Sequence, residues 1–292
     1  MNNTAYFPGC SLKAEAGDYE RSAAAVMEAL GQPLEELERW TCCGTVYSLT
    51  DDDLMHQMAT VRNLIRAQEC GAEEIVTLCS MCFNTLKRSK VFIEQDAARL
   101  ETVNAFMDEE PDYEGDVEVV HLLEILRDQV GFESIEGRVT RPLSGLRVAP
   151  YYGCTLLRPR EIGIDEPDTP TILQDFIRTL WATPVEFAFQ AECCGTYQIV
   201  DAPELVLENS HRILNSAMRA GAEIMITSCP LCMHNLRLAY EELRSSLPDK
   251  RELSIVYWTQ LAAIALEVET GELPTSMGKL VEGLPTTMEL VP

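Results

Sequence analysis

"GAEEIVTLCSMC" (71–82) and "GAEIMITSCPLC" (221–232) are two versions of one design. Each passes from a glycine through a short β-branched run to a Cys-x-x-Cys pair. The run has the length of a buried parallel strand, and the pattern after it is helical. Cys82 and Cys232 therefore fall in the first turn of a helix, where Pro230 suits the opening position. Upstream, "DDDLMHQMATVRNLIRAQECG" has apolar residues at 54, 58, 61, 64 and 65. "DAPELVLENSHRILNSAMRAG" has them at 206, 213, 214, 217 and 218. Both are helical stripes ending at a glycine, Gly71 or Gly221, and Asp51 or Asp52 is expected to cap the first. "TAYFPG" and "LRVAPYYG" read as buried strands that run into a cysteine. "VEVVHLLEIL" (117–126) and "LSIVYWTQLAAIAL" (253–266) read as a closing strand and helix in each half. Alternating strands and helices predict an α/β fold: two pseudo-symmetric Rossmann-like halves with parallel sheets flanked by helices.

The cysteines repeat with the elements. Cys10 is followed after 31 residues by Cys42-Cys43, and after 35 more by Cys79-x-x-Cys82. Cys154 is followed after 38 residues by Cys193-Cys194, and after 34 more by Cys229-x-x-Cys232. Ten of the 11 cysteines thus form two sets of five, the mark of an internal duplication. The expected domains are 1–138 and 139–292, each with a CCG motif and a five-cysteine site, joined through 134–145. The tail from Gly271 has little periodicity and is expected to wrap its own surface or a partner's. Cys70 has no counterpart, since position 220 is Ala, and it reads as a small buried hydrophobe.

Composition narrows the function. The 292-residue chain carries 23 Lys+Arg against 47 Asp+Glu, a net charge of -24. Such a surface repels nucleic acid and anionic lipid and suits docking on a basic partner. No signal peptide and no membrane span are read, so a cytoplasmic protein is expected. In a reducing cytoplasm, this density of cysteine points to metal or redox chemistry.

Strand ends in an open parallel sheet gather at one edge, where ligands bind. The fold should therefore bring each set of five cysteines together, beside helix N-termini whose free N–H groups favour thiolates. Gly44 and Gly195 remove a Cβ beside each cysteine pair and permit positive φ. Tetrahedral zinc takes four thiolates, and so does an ordinary iron–sulfur cluster. Five exceed both needs. The fifth can bridge irons in an unusual cluster or stand as a reactive thiol. His234, two residues after Cys232, is a candidate proton donor, with Asn84 in its place in the other half. Arg158, Arg160 and Lys13 are candidates to hold an anionic substrate, set against plain surface salt bridging. Tyr47 and Tyr197 occupy near-equivalent places after the cysteine pairs. His56 and His211 read as surface or packing residues. No glycine-rich phosphate loop is present, so no nicotinamide or flavin is expected in this chain.

The doubled pattern C-x(31–38)-CCG-x(33–34)-CxxC resembles the cysteine-rich CCG domain of the heterodisulfide reductase B subunit, over nearly the whole chain. "RPREIGIDEPDTP" (158–170) is also similar to the segment after the second half's first cysteine in those proteins. The resemblance implies two noncubane 4Fe–4S clusters. One would be held by Cys10, Cys42, Cys43, Cys79 and Cys82, the other by Cys154, Cys193, Cys194, Cys229 and Cys232. It implies a disulfide substrate cleaved to two thiols between them. It further implies partners from the same complex: the iron–sulfur C subunit, together with the flavin A subunit that can bifurcate electrons. Hydrogenase or formate dehydrogenase would be further partners. The family's glycine-rich run after the second CCG is missing here, where "CCGTYQIVD" follows. The methanogen disulfide is therefore not implied. The same domain serves enzymes of other thiols and of succinate, fumarate, glycolate or lactate. The alternative reading is an iron–sulfur electron-transfer module without disulfide turnover.

Overall fold

The computed structural model describes residues 3–45, 53–244 and 252–270, with 278 and 282. The first sheet is parallel and ordered β1 (Thr4–Phe7), β2 (Glu74–Thr77), β3 (Glu118–His121). Phe7, Thr77 and His121 lie in register at its carboxyl edge. The second sheet is also parallel, in the order β5 (Thr183–Pro184), β4 (Arg147–Pro150), β6 (Ile224–Thr227), β7 (Ser254–Tyr257). Thr227 and Tyr257 pair at its carboxyl edge, as Thr77 and His121 do in the first. The edge strand β5 has a trace in the first half, a single parallel bridge between Tyr6 and Glu36. The central runs are buried almost throughout, as strands flanked by helices must be.

Helices α1 (Gly17–Ala29) and α2 (Leu54–Glu69) join β1 to β2, and α3 (Ser80–Glu94) and α4 (Ala97–Phe106) join β2 to β3. A short α5 (Leu122–Glu124) passes into a π-helical turn over Ile125–Val130, followed by α6 (Phe132–Glu136). The second half holds α7 (Ile172–Thr179), a 3-10 turn at Thr196–Val200, α8 (Pro203–Arg219), α9 (Pro230–Arg244) and α10 (Trp258–Ala265). Among the described residues no helix is long and apolar enough to cross a membrane.

Two expectations change. Asp53, not Asp51 or Asp52, caps α2, because its extended backbone lets the carboxylate accept from the Met55 N–H. Asp51, Asp52, Tyr47 and all but two residues of the tail lie outside the described residues. Cys70 is exposed rather than buried. It sits at the C-cap of α2, where its thiol bonds back to the Ala67 carbonyl.

The halves share a buried seam. Tyr19 of α1 stacks on Tyr257 at the end of β7, with centroids 4.0 Å apart and planes 3° apart. The Trp258 Nε1–H donates to the Tyr19 hydroxyl at 2.7 Å, and that hydroxyl donates to the Leu78 carbonyl at 2.8 Å. Ser22 pairs with Thr259, and Ser80 with Ser228, each at 2.6 Å. Tyr19 and Trp258 have no exposed surface. Aromatic residues of this size bury about 150–250 Å², so each contributes roughly 4–6 kcal/mol as an upper figure. The segment expected as the linker begins inside α6, whose Phe132 meets Phe176 of α7 at 6.2 Å.

Candidate metal centre

In the first half, Cys10 opens the turn after β1, Cys42-Cys43 lie in the loop before α2, and Cys79 is the N-cap of α3. Cys82 is in the first turn of α3. Cys42 Sγ lies 3.9 Å from Cys10 Sγ, and Cys43 Sγ lies 3.6 Å from Cys82 Sγ. In the second half Cys194 Sγ lies 3.5 Å from Cys232 Sγ, and Cys193 pushes the neighbouring Cys154 thiol up. The two sets also approach each other at the seam, where the Ser80 N–H, next to Cys79, donates to the Ser228 carbonyl, next to Cys229, at 3.2 Å. The cysteines thus stand in close pairs, and all ten are free thiols.

These spacings are far beyond a disulfide's ~2.05 Å. They match the edge of a sulfur tetrahedron about a metal, ~3.8 Å for metal–sulfur bonds of ~2.3 Å. Among the described residues no three ligand side chains gather around one point as a single ion would require. The sulfurs stand in pairs instead. Cys10, Cys42 and Cys193 are exposed, whereas Cys43, Cys79, Cys82, Cys194, Cys229 and Cys232 are buried, so each set has one open side.

Charge is shared within the pairs. Hydrogen bonds from Cys42 and then Cys82 hold the Cys43 thiol well below its ordinary range. Bonds from Cys229 and then Cys82 do the same for Cys79. A bond from Cys154 brings Cys193 down to about 6, and one from Cys232 lowers Cys194. Cys42, Cys82, Cys154 and Cys232, the partners of these thiols, are pushed up. Backbone N–H groups add to this. Gly195 N donates to Cys193 Sγ at 3.3 Å and Thr196 N to Cys194 Sγ at 3.4 Å. A metal takes the place of such protons on soft thiolate ligands, so the donor set fits an iron–sulfur group.

Glycines make the approach possible. Gly44 and Gly195 both have positive φ, +78° and +103°. A Cβ on Gly9 would stand 2.9 Å from Cys82 Sγ, and one on Gly153 would stand 3.3 Å from Cys232 Sγ.

The other candidates divide. Lys13 is paired with Glu20 at 2.7 Å and Glu36 at 2.6 Å. Arg160 is held by Glu166 and Asp168. Arg158 donates to the Ala191 carbonyl at 2.8 Å, two residues before Cys193. All three cations thus have protein partners. His234 is exposed, and the described hydrogen bonds join it to no cysteine. Its neighbour Asn235 reaches the site instead, donating to Cys194 Sγ at 3.4 Å. Tyr197 is half-buried in the 3-10 turn. Sequence reasoning misses Asn235, although setting "CFNTL" against "CMHNL" displays its difference from Thr85. It misses Tyr151 too. That residue is fully buried, donates to the Glu192 carbonyl at 2.8 Å, and is pushed up by burial first and then by the surrounding cysteines.

Two α/β halves, each presenting five thiols at the edge of a parallel sheet, define a duplicated cysteine-rich redox protein. The chain belongs to the cysteine-rich CCG domain family, whose domain matches residues 4–87 and 148–237. It is 32% identical to the 8-methylmenaquinol:fumarate reductase membrane anchor subunit of Wolinella succinogenes, over 92% of this chain and 94% of that one. It is 24% identical to the B subunit of the ferredoxin/F420H2-dependent CoB-CoM heterodisulfide reductase of Methanosarcina acetivorans, over 94% and 92%. It is 26% identical to a protein of Archaeoglobus profundus named as like the heterodisulfide reductase B subunit, over 89% of each chain. The resemblance to the heterodisulfide reductase B subunit is thereby borne out. A solved structure of a hypothetical protein from Helicobacter pylori shares the fold, with a TM-score of 0.70 at 15% identity. The match covers 94% of this chain and half the length of that one.

Proposed function

We propose that this protein is the iron–sulfur subunit of a multi-subunit oxidoreductase, holding one noncubane 4Fe–4S cluster in each half. The observation that carries the reading is the doubled set of five cysteines with sulfurs paired at 3.5–3.9 Å, Cys10 with Cys42 and Cys43 with Cys82 in one half and Cys194 with Cys232 in the other. The clusters, when bound, supply one-electron chemistry. The protein's own residues hold the sulfurs, keep water from the six buried cysteines and leave Cys10, Cys42 and Cys193 toward the surface. The relatives, named as subunits of heterodisulfide and fumarate reductases, support a place in a complex. A net charge of -24 suits docking on basic iron–sulfur and flavin partners.

The finer reading is disulfide reduction. One S–S bond takes up two electrons and two protons and yields two thiols, and two one-electron sites side by side match that count. Relatives named as heterodisulfide reductase B subunits favour it. The fumarate reductase relative, more similar at 32%, favours an electron relay without disulfide turnover. Anaerobically purified protein should contain about eight iron and eight sulfide per chain. Zinc with little iron would overturn the cluster reading. Reduced viologen with candidate disulfides then separates the two: thiol release supports disulfide reduction, and full clusters without thiol release support the relay.

A further inference from the structure

The two five-cysteine sites differ at one buried position. Cys82 and Cys232 are equivalent, and three residues further along the same helices stand Thr85 and Asn235. Both side chains are buried. Thr85 spends its hydroxyl on Thr45 Oγ1 at 3.1 Å. Asn235 holds the corresponding loop through the Thr196 carbonyl at 2.9 Å, and its amide also donates to Cys194 Sγ at 3.4 Å. The amide orientation follows from its surroundings. A flipped group would face its oxygen toward a carbonyl and a sulfur, both acceptors. The position holds the sulfur donor although Asn235 Oδ1 finds no partner among the described residues.

The side-chain donor stands beside backbone donors. Backbone N–H groups favour the thiolate at both cysteine pairs, and in the second half Gly195 N and Thr196 N donate to Cys193 and Cys194 at 3.3 and 3.4 Å. The second site has in Asn235 a side-chain donor to sulfur, where Thr85 of the first site donates to Thr45 instead. A hydrogen bond to a ligand sulfur stabilises the more negative, reduced form of an iron–sulfur group and raises its potential.

We infer that Asn235 makes the two halves electronically unequal, so that the second site has the higher potential and takes the first electron. The inference rests on the two-cluster reading above. Asn235 acts through Cys194 and is a positioning residue. Cys79 and Cys229 adjoin the Ser80–Ser228 contact at the seam, which gives the electron a short route between the sites.

The test is a redox titration of the full chain followed by electron paramagnetic resonance, after iron and sulfide have been counted. A wild-type count far below eight of each would end the cluster reading on its own, before any potential is measured. With clusters present, Asn235→Thr should lower one of two midpoint potentials and leave the other in place. The expected shift is about tenfold in the reduced-to-oxidised ratio, ~59 mV for one electron. Thr85→Asn should raise the lower potential and narrow the gap. Two unmoved potentials, or two that move together, would overturn the inference. If Asn235→Thr loses iron, Thr85→Asn decides alone, and an unmoved lower potential overturns it.

Discussion

Replacing Gly195 by alanine puts a methyl group where the structure has no room for one. The backbone there has φ +103° and ψ -10°. An L-residue in the left-handed region costs about 1–2 kcal/mol. The new Cβ would also stand 2.7 Å from Val206 Cγ2 and 3.1 Å from Val206 Cα. Val206 is fully buried on α8, so it cannot swing away, and such overpacking costs about 1–3 kcal/mol. The expected loss is roughly 2–5 kcal/mol. Gly31→Ala separates the two contributions, because Gly31 has φ +73° with nothing within 4 Å of its Cβ position. That variant should lose only about 1–2 kcal/mol. The assay is urea unfolding by circular dichroism under anaerobic conditions, with iron counted on the same samples. Gly195 and Thr196 carry the N–H donors to Cys193 and Cys194, so displacing the turn should empty the second site. Iron should fall from about eight to about four per chain in Gly195→Ala and stay whole in Gly31→Ala. Equal stability of the two variants, with full iron in both, would refute the reasoning.

Asn84→Ala removes two bonds across the halves, to the carbonyls of Thr155 at 2.8 Å and Arg158 at 2.7 Å. It should cost about 2–3 kcal/mol in urea unfolding, and an unchanged midpoint would show the tie to be idle. Burial holds the His121 imidazole down at about 4, against 6.5 ordinarily. Between those values the unfolded chain binds a proton that the folded protein refuses. Stability contributed by the neutral ring is whole above pH ~6.5 and falls by roughly 3 kcal/mol as pH drops to about 4. The difference between wild type and His121→Gln, measured by urea unfolding from pH 4 to 7.5, should follow that slope; a constant difference would contradict it. Cys70→Ser should keep full iron and lie within about 0.5 kcal/mol of wild type, and loss of iron would return Cys70 to the site.

The repeated strand–cysteine–helix unit is legible because its signals are local. Glu74–Thr77 and Ile224–Thr227 are β-branched runs of the right length, and Pro230 marks the start of a helix. The five-cysteine sets are legible because spacing alone aligns them. α1 is not, since its apolar side is alanine-rich and much of its burial comes from α10, far away in sequence. The strand β5 has two residues, too few for any period. Lys13 and Arg160 are candidates for an anion because sequence shows their charge but not Glu20, Glu36, Glu166 and Asp168 folded against them. The polar residue that reaches the thiols, Asn235, is one position away from the His234 that chemistry suggests. Helical rotation turns one of these neighbours inward and leaves the other exposed.

A duplication could have left two independent sites, but the seam rules that out. The Leu78 carbonyl, just before Cys79, accepts from Tyr19 and from His121 Nε2, each at 2.8 Å. Tyr19 is itself oriented by Trp258 of the other half. The Ser228 carbonyl, just before Cys229, accepts from the Ser80 N–H at 3.2 Å. Each strand end that delivers a Cys-x-x-Cys pair is thus held in part by the opposite half. The means differ, because Ser80 corresponds to Pro230, which has no N–H to donate, and Ser228 corresponds to Leu78. The symmetry of the sequence is therefore broken at the junction. It is broken by residues with no metal-binding chemistry of their own, which fix how close the two sets of thiols stand.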